Sequence, residues 1–202
     1  MKKEGNMELE DIKQQFLEIY YDNIEREGSE ELLNFLEKSD FFTAPASTRR
    51  HNAFEGGLCL HSINVYKRFL NLVQQEYGEN WQDVISAESV AIISLLHDIC
   101  KVNYYTTEMR NVKVDGAWVQ KPFYKVDDTL PYGHGEKSVY MISGFMRLNR
   151  EEAMAINWHM GGFDYRAQSP ALSAAYDRYP LALNLHIADM QATFLDETKG
   201  DN

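Results

Sequence analysis

The sequence predicts an all-α helical bundle interrupted by one inserted β-hairpin, on three observations. Apolar residues recur at spacings of three and four over most of the chain, the period of a helix with one buried face. One stretch, VNYYTTEMRNVKVDGAWVQKPFYKV, abandons that period for aromatic and branched residues around Asp115-Gly116, a two-residue hairpin turn signal. No repeat, low-complexity segment or convincing boundary divides the 202 residues, so a single core is expected.

The elements follow in order. Leu9, Ile12, Phe16, Tyr20 and Ile24 make one apolar stripe on an acidic helix over residues 8–26. Ser29 reads as the N-cap of a second, short helix through Glu30–Glu37. The Pro, Ser, Thr and Gly of SDFFTAPASTRRHNAFEGG break the period and mark an irregular connection. From Gly57 to Tyr77 a long helix carries Leu58, His61, Val65, Phe69 and Leu72 on one face, which turns His61 inward. Ser86 opens a helix that ends near Cys100. The hairpin occupies 102–126, and Pro131 and Gly133 end the non-helical stretch. GHGEKSVYMISGFMRL then resumes helical spacing through Val139, Ile142 and Phe145/Met146. Asn149 caps a helix ending near NWHMGG, and Tyr179-Pro180 opens a last helix through LALNLHIADMQATF, proline being suited to the first helical position. The expected organisation is a helical extension over 1–40 packed on the core, one domain over 41–196 carrying the hairpin, and a polar tail at 197–202.

Bulk properties exclude several classes. With 44% hydrophobic and 25% charged residues the chain is neither disordered nor fibrous. A formal net charge of -11 disfavours nonspecific binding to nucleic acid, where lysine and arginine must neutralise phosphates. A small anionic substrate in a locally positive pocket is compatible with it. The N-terminus lacks the apolar core of a signal peptide and no stretch is apolar enough to span a bilayer, so a cytoplasmic protein without membrane contact is expected. Cys59 and Cys100 form no CxxC pair and are expected to be reduced and partly buried.

The chemistry concentrates in SLLHDICK, where His97 and Asp98 close a run that otherwise reads as core. Ionisable groups are seldom buried without a partner, and a carboxylate at a helix C-terminus sits at the wrong end of the dipole. A metal ion resolves that conflict; a buried His–Asp hydrogen bond is the competing reading. Further ligand types lie on separate inward-facing elements: His61 on an apolar helix face, His134 between glycines, His159 before Gly161-Gly162, and Asp189 inside an otherwise apolar helix.

In that order the residues resemble the HD-domain metal-dependent phosphohydrolases. The family signature of an upstream histidine, a His–Asp doublet and a distant aspartate is matched by His61, His97-Asp98 and Asp189. Two-metal versions add two histidines between doublet and aspartate, matched by His134 and His159. HNAFEGGLCLHS, LLHDICKV and GHGEKSV look most like the HD domain that bacterial exoribonucleases join to an OB-fold. The resemblance covers roughly residues 49–192. No OB-fold is expected ahead of it, so exonuclease activity is not expected to carry over.

The resemblance implies an HD-domain-like bundle and a phosphomonoesterase or phosphodiesterase that hydrolyses a nucleotide or other phosphoester with metal-activated water. It implies two divalent transition ions, manganese, iron, cobalt, nickel or zinc, about 3.5–4 Å apart. His61, His97, Asp98 and Asp189 would hold one, and Asp98 would bridge to a second held by His134 and His159. Lys101, which completes HDxxK, is placed by the family near the substrate phosphate; C-terminal dipole compensation is its other reading. Arg49, Arg50 and His51 are candidate phosphate contacts, with plain surface arginines the alternative. Trp118 and its aromatic neighbours on the hairpin are a candidate lid, with local packing as the alternative. The same ligands also resemble HD-fold diiron oxygenases, and a noncatalytic metal- and nucleotide-binding sensor is a third class.

Overall fold

Helix α1 (Leu9–Asn23) buries Ile12, Phe16 and Tyr20 along one stripe, and Ile24 follows at its end. Each such side chain, fully buried, contributes roughly 1.5–3 kcal/mol. In the computed structural model, which describes residues 8–197, this stripe closes one of two adjoining cores. The first core joins α1 and α2 (Ser29–Lys38) to α3 (Gly57–Tyr77) and α4 (Ala87–Leu96) around Phe16, Phe41, Leu36 and Leu95. The second packs Phe69 of α3 and Ile93 of α4 against Leu185 and Ala188. Residues 1–7 of the N-terminal extension and 198–202 of the polar tail lie outside the described residues.

Ser29 is not the cap of α2. That position belongs to Gly28 at φ 87°, and Ser29 is the first helical residue. Only glycine fits there, because a Cβ would stand 1.9 Å from the Phe145 carbonyl oxygen. Ser86 does cap α4, accepting from the Ser89 N–H at 3.0 Å. From Ser89 to Leu96 every residue of α4 is buried, which makes it the central helix. Its α-helical part stops at Leu96 rather than near Cys100; the backbone turns at Asp98 and a 3-10 turn, Ile99–Lys101, follows.

The hairpin consists of β1 (Tyr105–Val114) and β2 (Ala117–Val126), antiparallel, with Val114 opposite Ala117. Asp115 and Gly116 form the turn at φ 49° and 86°, the two positive values that a type I′ turn needs. Helix α5 (His134–Ser143) follows, then α6 (Arg150–Trp158). Asn149 and Glu152 close a reciprocal capping box on α6, with bonds of 2.9 and 2.8 Å. Residues 159–179 hold two 3-10 turns and α7 (Ala171–Arg178), elements the apolar spacing does not announce. Pro180 begins α8 (Pro180–Gln191), which widens into a π turn, Ala192–Asp196, instead of continuing as α-helix through Phe194.

Buried charge ties the layers together. The Arg26 guanidinium donates to Glu88 at 2.9 Å and to the buried Glu152 at 2.6 Å, joining the α1–α2 connection to the starts of α4 and α6. No helix among the described residues is long and apolar enough to cross a membrane.

Candidate metal centre

The C-terminal ends of α4 and α6 meet the start of α5 and the flanks of α3 and α8 at one end of the bundle. His97 and His159 are the C-terminal cap residues of α4 and α6. His97 Nδ1 lies 2.8 Å from the Ser94 carbonyl and His159 Nδ1 lies 2.7 Å from the Ile156 carbonyl. A carbonyl only accepts, so each Nδ1 carries hydrogen, and in the neutral form each ring presents Nε2 as the acceptor. Gly135 brings α5 into place: a Cβ there would lie 2.2 Å from Asn157 O, so glycine lets the His134 end of α5 touch the last turn of α6.

His61, buried on α3, follows the same logic with a different partner. Its Nδ1–H donates to both carboxylate oxygens of Glu197 at 3.1 Å, and Asn64 donates to the same carboxylate at 3.0 Å. Its Nε2 then faces Asp189 Oδ1 at 3.3 Å, His97 Nε2 at 3.3 Å and Asp98 Oδ2 at 3.6 Å. Two imidazole nitrogens and two carboxylate oxygens meet at this point, with donors reaching only the carboxylates, Lys101 at Asp98 Oδ2 and Thr193 at Asp189 Oδ1. A cation between the four atoms would relieve their mutual repulsion.

These separations fit metal donors. Bonds of about 2.0–2.1 Å at tetrahedral angles put two nitrogen or oxygen donors about 3.4 Å apart. Asp98 divides its oxygens between two sides. Oδ2 faces His61 and His97, each at 3.6 Å, while Oδ1 faces His159 Nε2 at 3.5 Å. His159 Nε2 is buried and has no hydrogen-bond partner. Donor atoms within 4.8 Å of one another occur in His61–His97–Asp189, His97–Asp98–His159 and Asp98–Cys100–His134, and also in His51–His61–Glu197 behind His61. The residues therefore fit one ion among His61, His97, Asp98 and Asp189, and offer donors for another on the Oδ1 side of Asp98.

The electrostatics divide the rings: burial works against a charged His159, but the Asp98 carboxylate outweighs it and raises that ring, whereas two others are lowered. Burial pushes His97 down to about 4 against the pull of Asp98, and burial also lowers His134. Burial opposes ionisation of Asp98 as well, but Lys101 and His97 hold its carboxyl well below the usual range. Burial works against a charged His61 too; the Glu197 and Asp189 carboxylates outweigh it and lift the ring to about 10. A proton on His61 is thus the smallest cation that relieves the crowding.

The remaining candidates divide. Lys101, buried, donates to Asp98 Oδ2 at 2.6 Å and to the Ala46 carbonyl at 2.8 Å. With Asp98, His134, Asp189, His51 and Arg50 it lines a pocket of about 220 Å³ that opens beside the centre, walled by Met160, Phe163, Met190 and Phe194. The His51 ring lies tilted beside His61 at 5.1 Å between ring centroids, and both its ring nitrogens are buried without a partner. Arg49 is exposed and does not line the pocket. Trp118 stands beside the hairpin turn, 71% exposed, and is not part of the pocket wall either. The hairpin touches the centre at its root instead, where Tyr105 OH donates to Ala46 O at 3.2 Å and the Tyr104 ring packs 5.8 Å from His134. His186 supports His159, donating Nδ1–H to its carbonyl at 2.8 Å.

Two residues of the centre escape the sequence reading. Glu197 falls where the polar tail is expected to begin, beyond the last apolar spacing, and its bond to His61 depends on the π turn that swings it back. Cys100 is expected only to be reduced and partly buried, yet it is buried, and its sulfur lies 3.7 Å from Asp98 Oδ1 and 3.5 Å from His134 Nδ1. Its position two residues after the doublet was the available signal. No protein-family model matches the chain, and neither a characterised protein nor a solved structure matches it.

Proposed function

We propose that the protein is an HD-domain metal-dependent phosphohydrolase that cleaves a small phosphoester or phosphodiester, of which a nucleotide is the first to test. The observation that carries the reading is the convergence of His61, His97, His159, Asp98 and Asp189 acceptor atoms at coordination-edge distances of 3.3–3.6 Å beside an open pocket.

Bound divalent ions supply a water of lowered pKa and an electrostatic clamp for phosphoryl oxygens. The chain's own groups do the rest. His97 and His159, locked by their carbonyl bonds, hold Nε2 in fixed positions. Glu197 orients His61 and raises its basicity, the role a carboxylate behind a ligating histidine plays. Lys101 carries a permanent positive charge to the pocket wall, where a phosphoryl oxygen would meet it beside Asp98. Arg50 at the rim adds a second cation. The pocket is below the roughly 300–1,000 Å³ of ordinary ligand sites, so it suits the phosphoryl end of a substrate whose remainder lies outside.

The test is metal analysis of protein purified without chelators, followed by a nucleotide and phosphodiester panel with manganese, iron, cobalt, nickel or zinc restored. Release of phosphate or nucleotide that stops with chelator and returns with metal supports the reading. Oxygen consumption in its place supports the diiron oxygenase, and ligand-dependent stabilisation without turnover supports the sensor.

A further inference from the structure

We propose that Cys100 is a metal ligand, so that the ion on the Oδ1 side of Asp98 is bound by a thiolate together with carboxylate and imidazole. The inference deepens the metal-centre reading above and rests on it.

The geometry is the ground for it. Cys100 Sγ lies 3.5 Å from His134 Nδ1 and 3.7 Å from Asp98 Oδ1. A metal–sulfur bond of about 2.3 Å and a metal–nitrogen bond of about 2.05 Å at the tetrahedral angle put those two donors about 3.5–3.6 Å apart. The sulfur thus stands at a coordination edge from both neighbours. The residue is only 2% exposed, and its backbone N–H donates to Ser138 Oγ at 3.2 Å, which anchors the turn that carries it. An independent observation lies on the same oxygen. His159 Nε2, fully buried, reaches to 3.5 Å of Asp98 Oδ1 and has no hydrogen-bond partner. Asp98 Oδ1 therefore sits between an orphaned imidazole nitrogen and a thiol. Cys59, the other cysteine, has its sulfur 3.9 Å from the Ile12 carbonyl in the first core and has no such company.

Binding exchanges the S–H bond for a metal–sulfur bond, and the proton leaves to solvent with no change of oxidation state. The consequence is selectivity. Thiolate is a soft donor, which shifts this position toward zinc, iron or cobalt and away from magnesium, calcium and manganese, while the His61–His97–Asp189 side keeps nitrogen and oxygen donors only.

The experiment is titration of the chelator-treated full chain with Co²⁺, followed by absorption spectroscopy. Wild type and Cys59→Ser should both show a near-ultraviolet sulfur-to-cobalt charge-transfer band that grows with one of the bound equivalents. Cys100→Ser should bind cobalt without that band. Circular dichroism checks that the variant is folded, and X-ray absorption of the zinc-loaded wild type, which needs no variant, should show a sulfur neighbour at about 2.3 Å. Cobalt binding in wild type without the band, a band that survives in Cys100→Ser, or a zinc spectrum without sulfur overturns the inference and leaves the hydrolase reading intact. The band in a protein that hydrolyses no phosphoester keeps the inference and removes the hydrolase. Failure to bind cobalt at all removes both.

Discussion

His97 and His159 occupy equivalent places on different helices: each caps its helix, and each gives Nδ1–H to the carbonyl three residues back, at 2.8 and 2.7 Å. Both rings therefore turn Nε2 toward Asp98, 3.6 and 3.5 Å from its two oxygens. The repeated device has an energetic logic. A helix C-terminus presents unpaired carbonyls and a partial negative charge, which the imidazole N–H satisfies on one side while a metal ion is favoured on the other.

Glu197 performs for His61 what those carbonyls do for His97 and His159, and its charge makes it the stronger orienter. Glu197→Gln keeps the shape and removes the charge. Metal affinity should fall about 10–100-fold, the usual effect of losing the carboxylate behind a ligating histidine. Metal-buffered titration reads this directly, and unchanged affinity would remove Glu197 from the centre.

The Glu197 and Asp189 carboxylates overcome burial and hold the proton on His61 up to about 10. His61 thus carries a proton at neutral pH that an entering ion must expel, so affinity should weaken as pH falls. Calorimetry of Cys100→Ser, which has no thiol proton to lose, in two buffers of different ionisation enthalpy should show release of at least one proton per chain. Binding heats independent of buffer would contradict the assignment of His61 as ligand.

Away from the centre, Glu152 lies below its ordinary value, because Arg26, Ser89 and the Asn149 N–H outweigh the opposing effect of burial. A carboxylate depressed on folding stabilises the protein above its unfolded value of about 4.3, and that stability is lost as pH falls through the folded value. Arg26→Met leaves the buried carboxylate short of its cation and should cost about 3 kcal/mol at neutral pH. It should also flatten the loss of stability on acidification below about pH 4. Urea unfolding across pH decides it; wild-type stability in the variant would show that the ion pair is idle.

Much of this was legible in the residues. Asp115-Gly116 marked the hairpin because two positive φ values leave little other choice, and Ser86, Asn149 and Pro180 marked helix starts because each solves the problem of unpaired N–H groups. His61, His97, Asp98, His159 and Asp189 stood out as polar groups at core positions, and their atoms converge. Ser29 misled because a cap residue type says nothing of the Phe145 carbonyl that only Gly28 can pass. Glu197 and Cys100 were hidden because their roles depend on a π turn and a 3-10 turn, and neither has a periodic signature. Trp118 looked like a lid in a linear string, but a strand of ten residues carries it to the far end of the hairpin from Tyr104 and Tyr105.

The most direct test of a two-ion centre shared by Asp98 is the metal-to-protein ratio of three proteins. Asp98→Ala alone would strand the buried Lys101 ammonium, so it is combined with Lys101→Met, which removes both charges together and spares the fold; Lys101→Met alone is the control. Wild type and Lys101→Met should bind two ions per chain, His134→Ala one, and the Asp98→Ala/Lys101→Met pair none, because Asp98 alone faces both positions. Two ions retained without Asp98, or one at most in the wild type, would contradict the shared centre.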